Sequence, residues 1–214
     1  GLDLARFLRP GDRIVIGQAC GEPTTLVAAL IAQGRDIGGL SAFIATSFSG
    51  LFTPETAGSF ALSSMGAIGA LRGMTRAGKL AVIPAHVSQI GPMISAGIIG
   101  CDVALIQLSP ADEHGNHSCG LISDHVRAAV DKARIVIAEV NEQVPQTPGE
   151  TIPAAAIDVA VHVSRTPVEV PAGRVSETDQ AIARHCAAYI GDGAVIQTGV
   201  GAVPDAMLRL LHDR

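Results

Sequence analysis

The chain has 214 residues, of which 48% are hydrophobic and 16% charged, with a formal net charge of −5 at pH 7. That composition excludes a disordered chain and provides apolar surface for one large domain or one and a half small ones. The acidic balance without a dense Lys/Arg cluster argues against a nucleic-acid partner. With no signal peptide and no uninterrupted apolar run of membrane-spanning length, the chain reads as cytoplasmic with no membrane partner.

In chain order, Arg13–Gly17 (RIVIG) predicts a strand, and Pro23–Gln33 a helix opened by proline in its first turn. Leu40–Ser47 predicts a second strand, and 48–59, rich in Gly, Pro and Thr, a long loop. Leu80–Ala85 predicts a strand followed by a helix through about Ala96. Val103–Ser109 (VALIQLS) and Ile135–Asn141 (IVIAEVN) predict strands either side of a helix over Ser123–Ala133, with Ser123 as its cap. Val159–Ser164 is one more short strand. These runs are continuously apolar rather than alternating, the signature of strands buried on both faces. The predicted fold is therefore α/β: an open, mostly parallel sheet with helices on both faces. Arg165–Ser176, with two prolines and a glycine, reads as a linker. Beyond it Ser176–Ile190 predicts a helix, with Ser176 and Asp179 as a capping box and an apolar stripe of Ile182, Cys186, Tyr189 and Ile190. Residues 190–211 then predict a strand, a glycine turn and a helix.

That last stretch repeats the first. At an offset of 180, Gly11 meets Gly191, Asp12 meets Asp192, Val15 and Ile16 meet Val195 and Ile196, and Gly21 meets Gly201. Pro23 stands one place away from Pro204. The expectation is an internal duplication, with residues 1–175 as one domain and 176–214 as the incomplete beginning of a similar one. The first residue is Gly1 and not Met, as in a processed or trimmed chain.

Glycine turns between strand and helix present backbone N–H groups that suit phosphate, carboxylate or the oxyanion of acyl transfer. The turn Gly199-Val-Gly201-Ala-Val-Pro204 is close to a dinucleotide fingerprint, but Pro204 replaces its third glycine. A second constellation is Ser109–Gly120 (SPADEHGNHSCG), a predicted loop carrying Asp112, Glu113, His114, His117 and Cys119 at the end of a strand. Its HxxH spacing suits a helix rather than a loop with Pro110, Gly115 and Asn116, so no metal is expected there. His86 is read as a helix-start residue, and Cys20 has no assignable partner for nucleophilic catalysis. The cysteines (Cys20, Cys101, Cys119 and Cys186) lie far apart without CxxC and read as reduced thiols.

The stretches PGDRIVIGQACGEPTTLVAAL, DVALIQLSPADEHGNHSCGLISD, IVIAEVNEQVPQTPGE and GAVIQTGVGAVPDAML, in this order, resemble the acetyl-CoA hydrolase/transferase family. Within it they are most similar to the 4-hydroxybutyrate and related carboxylic-acid CoA-transferases. The resemblance implies a CoA-transferase-like fold with two similar α/β domains and a site between them. It implies a glutamate in the second domain that attacks an acyl-CoA thioester and carries CoA as a glutamyl-CoA thioester to a small carboxylic acid. By the family pattern that glutamate falls beyond Arg214, and Glu22, Glu113, Glu139 and Glu142 do not match it. Gly199, Val200, Gly201, Ala202 and Val203 match the family's CoA-binding turn. Gln18, Ala19, Cys20 and Gly21 match a loop that lines the thioester and offers an N–H to its oxyanion. The implied partners are acyl-CoA and a small carboxylate, with coenzyme A as substrate, no metal, and a homo-oligomer, a dimer. An acyl-CoA hydrolase and a non-catalytic CoA-binding or subunit-interaction module remain open. The chain alone is expected to be inactive, and to expose apolar surface where a second domain would pack.

Overall fold

Seven short runs lie side by side in the computed structural model, which describes residues 2–171 and 173–212. Gly1, Ala172, Asp213 and Arg214 lie outside the described residues, and with them the last two positions of the expected 176–214 segment. The chain divides into two compact units, Gly1–Glu169 and Val170–Arg214.

In the first unit the strands are β1 (Arg13–Ile16), β2 (Ser41–Phe43), β3 (Ala61–Ser64), β4 (Ala81–Val82), β5 (Val103–Leu108), β6 (Asn116–Ser118), β7 (Ile135–Asn141), β8 (Thr151–Pro153) and β9 (Val159–Val163). Seven form one parallel sheet in the order β4-β3-β2-β1-β5-β7-β9, and β6 pairs antiparallel with β8. The helices are α1 (Thr24–Ile37), α2 (Leu71–Arg76), α3 (Val87–Ser95) and α4 (Val126–Lys132). Successive strand residues point to opposite faces, so each continuous apolar run feeds two cores. Ile14, Ile16, Val103 and Leu105 pack with Leu26 and Leu30 of α1 and Leu71 of α2. Val15, Ala104 and Ile106 pack with Ile90 and Ile94 of α3 and Ala129 of α4. This is the α/β sheet with helices on both faces that the unalternating runs predict. The chain builds outward from β1 to β4, then returns to the other side of β1 for β5. The reversal leaves a crevice beyond the carboxyl ends of β1 and β5, the place where such sheets take ligands.

Several boundaries differ from the sequence reading. The strand expected over Leu40–Ser47 is laddered only at 41–43, although the Ile44 N–H still reaches the Ser63 carbonyl at 3.1 Å. β3 and α2 were not expected. The serines of ALSS look like loop residues, but Ser64 is fully buried because its hydroxyl donates to the Ala45 carbonyl at 2.9 Å. The helix expected from Ser123 begins at Val126, and Ser123 offers its carbonyl rather than its side chain. Asp124, at φ +33°, interrupts the helical backbone there. The expected loop at 109–120 contains β6, held by β8.

The second unit contains α5 (Glu177–Ala187) and α6 (Ala202–His212). The predicted capping box is present: the Ser176 hydroxyl accepts the Asp179 N–H at 3.2 Å, and Asp179 accepts the Ser176 N–H at 2.9 Å. The expected stripe is corrected. The buried positions of α5 are Ala183 and Ala187, whereas Cys186 is exposed, Ile182 is 43% exposed and Tyr189 93%. Small residues carry the contact, so α5 and α6 approach closely through Ala183, Ala187 and Ala206. The strand expected before the second glycine turn is absent among the described residues, and Val195 is fully exposed. A strand needs a neighbour to satisfy its backbone, and the described residues of unit 2 supply none.

Candidate functional site

The crevice is built from the turn after β1. A Cβ on Gly17 would lie 2.7 Å from the Gly21 carbonyl oxygen, so the chain can double back this tightly only with glycine there. Ala19 takes a left-handed backbone, φ +50°, and its N–H donates to the Thr46 carbonyl at 3.0 Å. The Gly21 N–H donates to the Gln18 carbonyl at 2.8 Å and the Glu22 N–H to the Ala19 carbonyl at 3.2 Å. The Gln18 amide donates to the Asp124 carboxylate, which ties this turn to the segment ahead of α4. Gln107, at the end of β5, donates to the Cys20 carbonyl at 3.0 Å.

The Ser109–Gly120 segment is tied to itself. The Ser109 N–H donates to the Ser118 carbonyl at 3.0 Å, and the Ser118 N–H to the Ser109 hydroxyl at 2.9 Å. Asp112 accepts the N–H groups of Asn116 and His114 at 2.8 and 2.9 Å, which hold its carboxyl below the usual range. His114 and Glu113 are exposed at the tip, while His117 is buried with Nδ1 2.8 Å from the Ser109 carbonyl oxygen. Different environments therefore separate the two histidines of the HxxH spacing. Cys119 is buried, and burial pushes its thiol up to about 11. No group of three potential ligands able to hold a metal stands together among the described residues. His86 is exposed, and its N–H donates to Gln89 in the first turn of α3 at 3.2 Å.

Sequence reasoning missed a buried polar cluster under the same crevice. Glu139, at the end of β7, is fully buried. It accepts the Thr25 N–H at the start of α1 at 2.8 Å and pairs with Arg165 at 2.5 Å. Arg165 lies in the stretch that reads as a linker, yet it also donates to Gln107 at 2.7 Å and to the Glu22 carbonyl at 2.8 Å. Asn141 locks Arg165 from both sides, donating to its carbonyl at 2.8 Å and accepting its N–H at 3.1 Å. Glu22, also fully buried, accepts hydroxyls from Ser47 at 2.8 Å and Ser49 at 2.5 Å. Desolvation raises its carboxyl above the usual range despite those bonds. The only sequence signal was Glu and Asn inside an otherwise apolar strand, IVIAEVN.

In the second unit, Gly199, Val200 and Gly201 lead into α6, whose first turn contains Ala202, Val203 and Pro204. Val200 is exposed, and a Cβ on Gly199 would meet open space.

Residues 2–171 match the acetyl-CoA hydrolase/transferase N-terminal domain. The 4-hydroxybutyrate coenzyme A transferase of Clostridium kluyveri is 32% identical over 206 residues, covering 95% of this chain and 48% of that protein. RipA from Yersinia pestis superposes with a TM-score of 0.89 at 26% identity, covering 99% of this chain and 52% of that one. A 4-hydroxybutyrate CoA-transferase from Porphyromonas gingivalis gives a TM-score of 0.75 at 28% identity, covering 98% and 49%. The chain spans about half the length of the curated relatives it matches. None of the described helices is long and apolar enough to cross a membrane.

Proposed function

Because the chain belongs to the acetyl-CoA hydrolase/transferase family, we propose that it is the N-terminal part of an enzyme that moves CoA between an acyl-CoA and a small carboxylic acid of the 4-hydroxybutyrate or acetate type. On this reading residues 1–175 form its first domain and 176–214 open the second. A glutamate beyond Arg214 attacks the thioester carbonyl and expels CoA thiolate, leaving an acyl–glutamyl anhydride. The thiolate attacks the glutamyl carbonyl of that anhydride, releasing the first acid and forming glutamyl-CoA. The acceptor carboxylate then displaces the thiolate, which attacks the new acyl carbon and restores the glutamate.

The observation that carries this reading is the tight turn at the β1/β5 crevice. Of the amides in Gln18–Gly21, those of Ala19 and Gly21 already bond to carbonyls within the fold. Those of Gln18 and Cys20 are the proposed donors to the oxyanion, and one such donor contributes about 10²–10³ in rate. Gly199–Val203 is the proposed CoA-binding turn. Open space at the Gly199 Cβ position supports this, since packing within the described residues does not demand glycine there. Glu22 and Glu139 are poor nucleophiles by geometry, because both are fully buried and already hydrogen-bonded.

The test is a CoA-transfer assay on the 214-residue chain and on a longer product of the same gene, with acetyl-CoA and several acceptor acids. The longer product is expected to turn over at about 1 s⁻¹ or more, and the short chain not at all. Turnover by the short chain would place the nucleophile within it and overturn the assignment. Thioester loss without an acceptor acid would identify a hydrolase.

A further inference from the structure

Among the described residues, two that are not glycine take a left-handed backbone: Ala19 at φ +50° and Asp124 at φ +33°. That conformation is unfavourable for an L-residue and persists only where the surroundings over-determine it. The two are joined, because Gln18 donates its side-chain amide to the Asp124 carboxylate. The backbone around Ala19 is held as well. Its N–H reaches the Thr46 carbonyl at 3.0 Å, and its carbonyl accepts the Glu22 N–H at 3.2 Å. A side chain from β5 completes the set: Gln107 Nε2 donates to the Cys20 carbonyl at 3.0 Å.

Gln107 is buried and lies opposite Glu139 on β7. The oxygen and nitrogen ends of its amide are nearly the same size, so its neighbours decide which way it faces. Here the decision is made on the side away from the turn. Arg165 Nη2 at 2.7 Å and Asn141 Nδ2 at 3.4 Å both donate to Oε1. A guanidinium has no acceptor, so the oxygen faces Arg165 and the NH₂ group is left for Cys20. Arg165 is fixed in turn by the fully buried Glu139, which accepts Nε at 2.6 Å. The Cys20 carbonyl shares its peptide with the Gly21 N–H, which bonds to the Gln18 carbonyl at 2.8 Å. A peptide is planar and trans, so holding both of its polar ends fixes its plane. In the preceding peptide the Ala19 carbonyl is bound to the Glu22 amide, so the Cys20 N–H is turned away from that amide.

We propose that Gln107 is a positioning residue for the turn Gln18–Gly21: it holds the Cys20 peptide in the plane that keeps the strained turn closed and sets the direction of the Cys20 N–H. The buried Glu139–Arg165 pair serves this by fixing which end of the Gln107 amide meets the turn. The inference rests on the CoA-transferase reading for the use of that N–H at an oxyanion, but the coupling of β5 to the turn does not need it.

The experiment compares Gln107→Glu and Gln107→Met with wild type. The first keeps the size and the acceptor for Arg165 but sets an oxygen against the Cys20 carbonyl. The second keeps the length, adds no charge and removes the donor, so it decides the matter if Gln107→Glu does not fold. In the 214-residue chain, hydrogen exchange of the Ala19 amide is expected to quicken about fivefold, the size of one lost hydrogen bond. The paired Ala104 and Val136, deeper in the sheet, are expected to keep their rates. In the longer product of the same gene, kcat for CoA transfer is expected to fall by about ten- to a hundredfold, since the donor is displaced rather than deleted. KM for acetyl-CoA is expected to stay within about twofold, as for an interaction made in the transition state. A uniform rise in exchange, an unchanged Ala19 rate in a folded variant, or a loosened turn with kcat intact would overturn the proposal. A longer wild-type product without CoA transfer, with the exchange pattern as expected, would count against the transferase reading alone.

Discussion

Two strand–turn–helix stretches, 11–31 and 191–211, are spelled alike, yet they end in different structures. In the first, β1 lies between β2 and β5, and Gly17 is required by a carbonyl at 2.7 Å. In the second, the helix and its proline form, the preceding apolar residues stay outside any ladder, and Val195 is fully exposed. Turn and helix are closed by local bonds, so a short sequence can dictate them. A strand is half of a bond pattern whose other half lies far along the chain. The two units differ for the same reason. Unit 1 has two apolar cores and a buried polar clamp, whereas the packing within unit 2 rests on a few alanines.

The contrast can be broken first at the clamp. Arg165→Met leaves the Glu139 carboxylate buried without its partner, and is expected to lower the stability of unit 1 by about 3–5 kcal/mol in denaturant unfolding. If the loss were under about 1 kcal/mol, the pair would be no better than a surface one. Next comes the core. Leu105→Ala, at a fully buried position, should cost about 2–5 kcal/mol. Leu210→Ala, 40% exposed in α6, should stay within about 0.5 kcal/mol. Similar losses at both sites would erase the distinction drawn between the units.

Smaller effects sharpen the picture. Ser176→Ala removes the α5 cap and should cost that helix about 1 kcal/mol, seen as faster amide exchange in its first turn with little change in the β5 amides. A comparably small effect is acid-dependent. Arg13 grips Asp102 through two side-chain bonds of 2.7 and 2.9 Å, and these hold its carboxyl down to about 2. A carboxyl lowered by folding stabilises above its unfolded value of about 4. That contribution is lost as pH falls from there through about 2. The pair is partly exposed, so screening limits it to about 1 kcal/mol. Asp102→Asn should flatten the acid limb of the stability curve between those values, and an unchanged limb would exclude the pair as its source.

The sequence by itself determined what is local. The unalternating runs RIVI, VALIQL and IVIAEVN required strands buried on both faces, and with the intervening helical patterns a parallel α/β sheet. Ser176 and Asp179 required a helix start, and the glycines after β1 required a tight turn at the end of a strand. Tertiary structure decided what depends on partners distant in the chain. It made ALSS a strand, because β2 and β4 flank it, and left the residues before Gly199 outside any ladder, because no strand flanks them among the described residues. It drew Arg165 out of a proline-rich stretch onto Glu139, 26 positions earlier, Gln107 and the Glu22 carbonyl. It also set Gln18 against Asp124 across the crevice. Residue type and periodicity report the preference of a segment for a conformation or a buried face. A buried ion pair or an unpaired strand depends on which distant segment the fold brings alongside, and no local pattern encodes that.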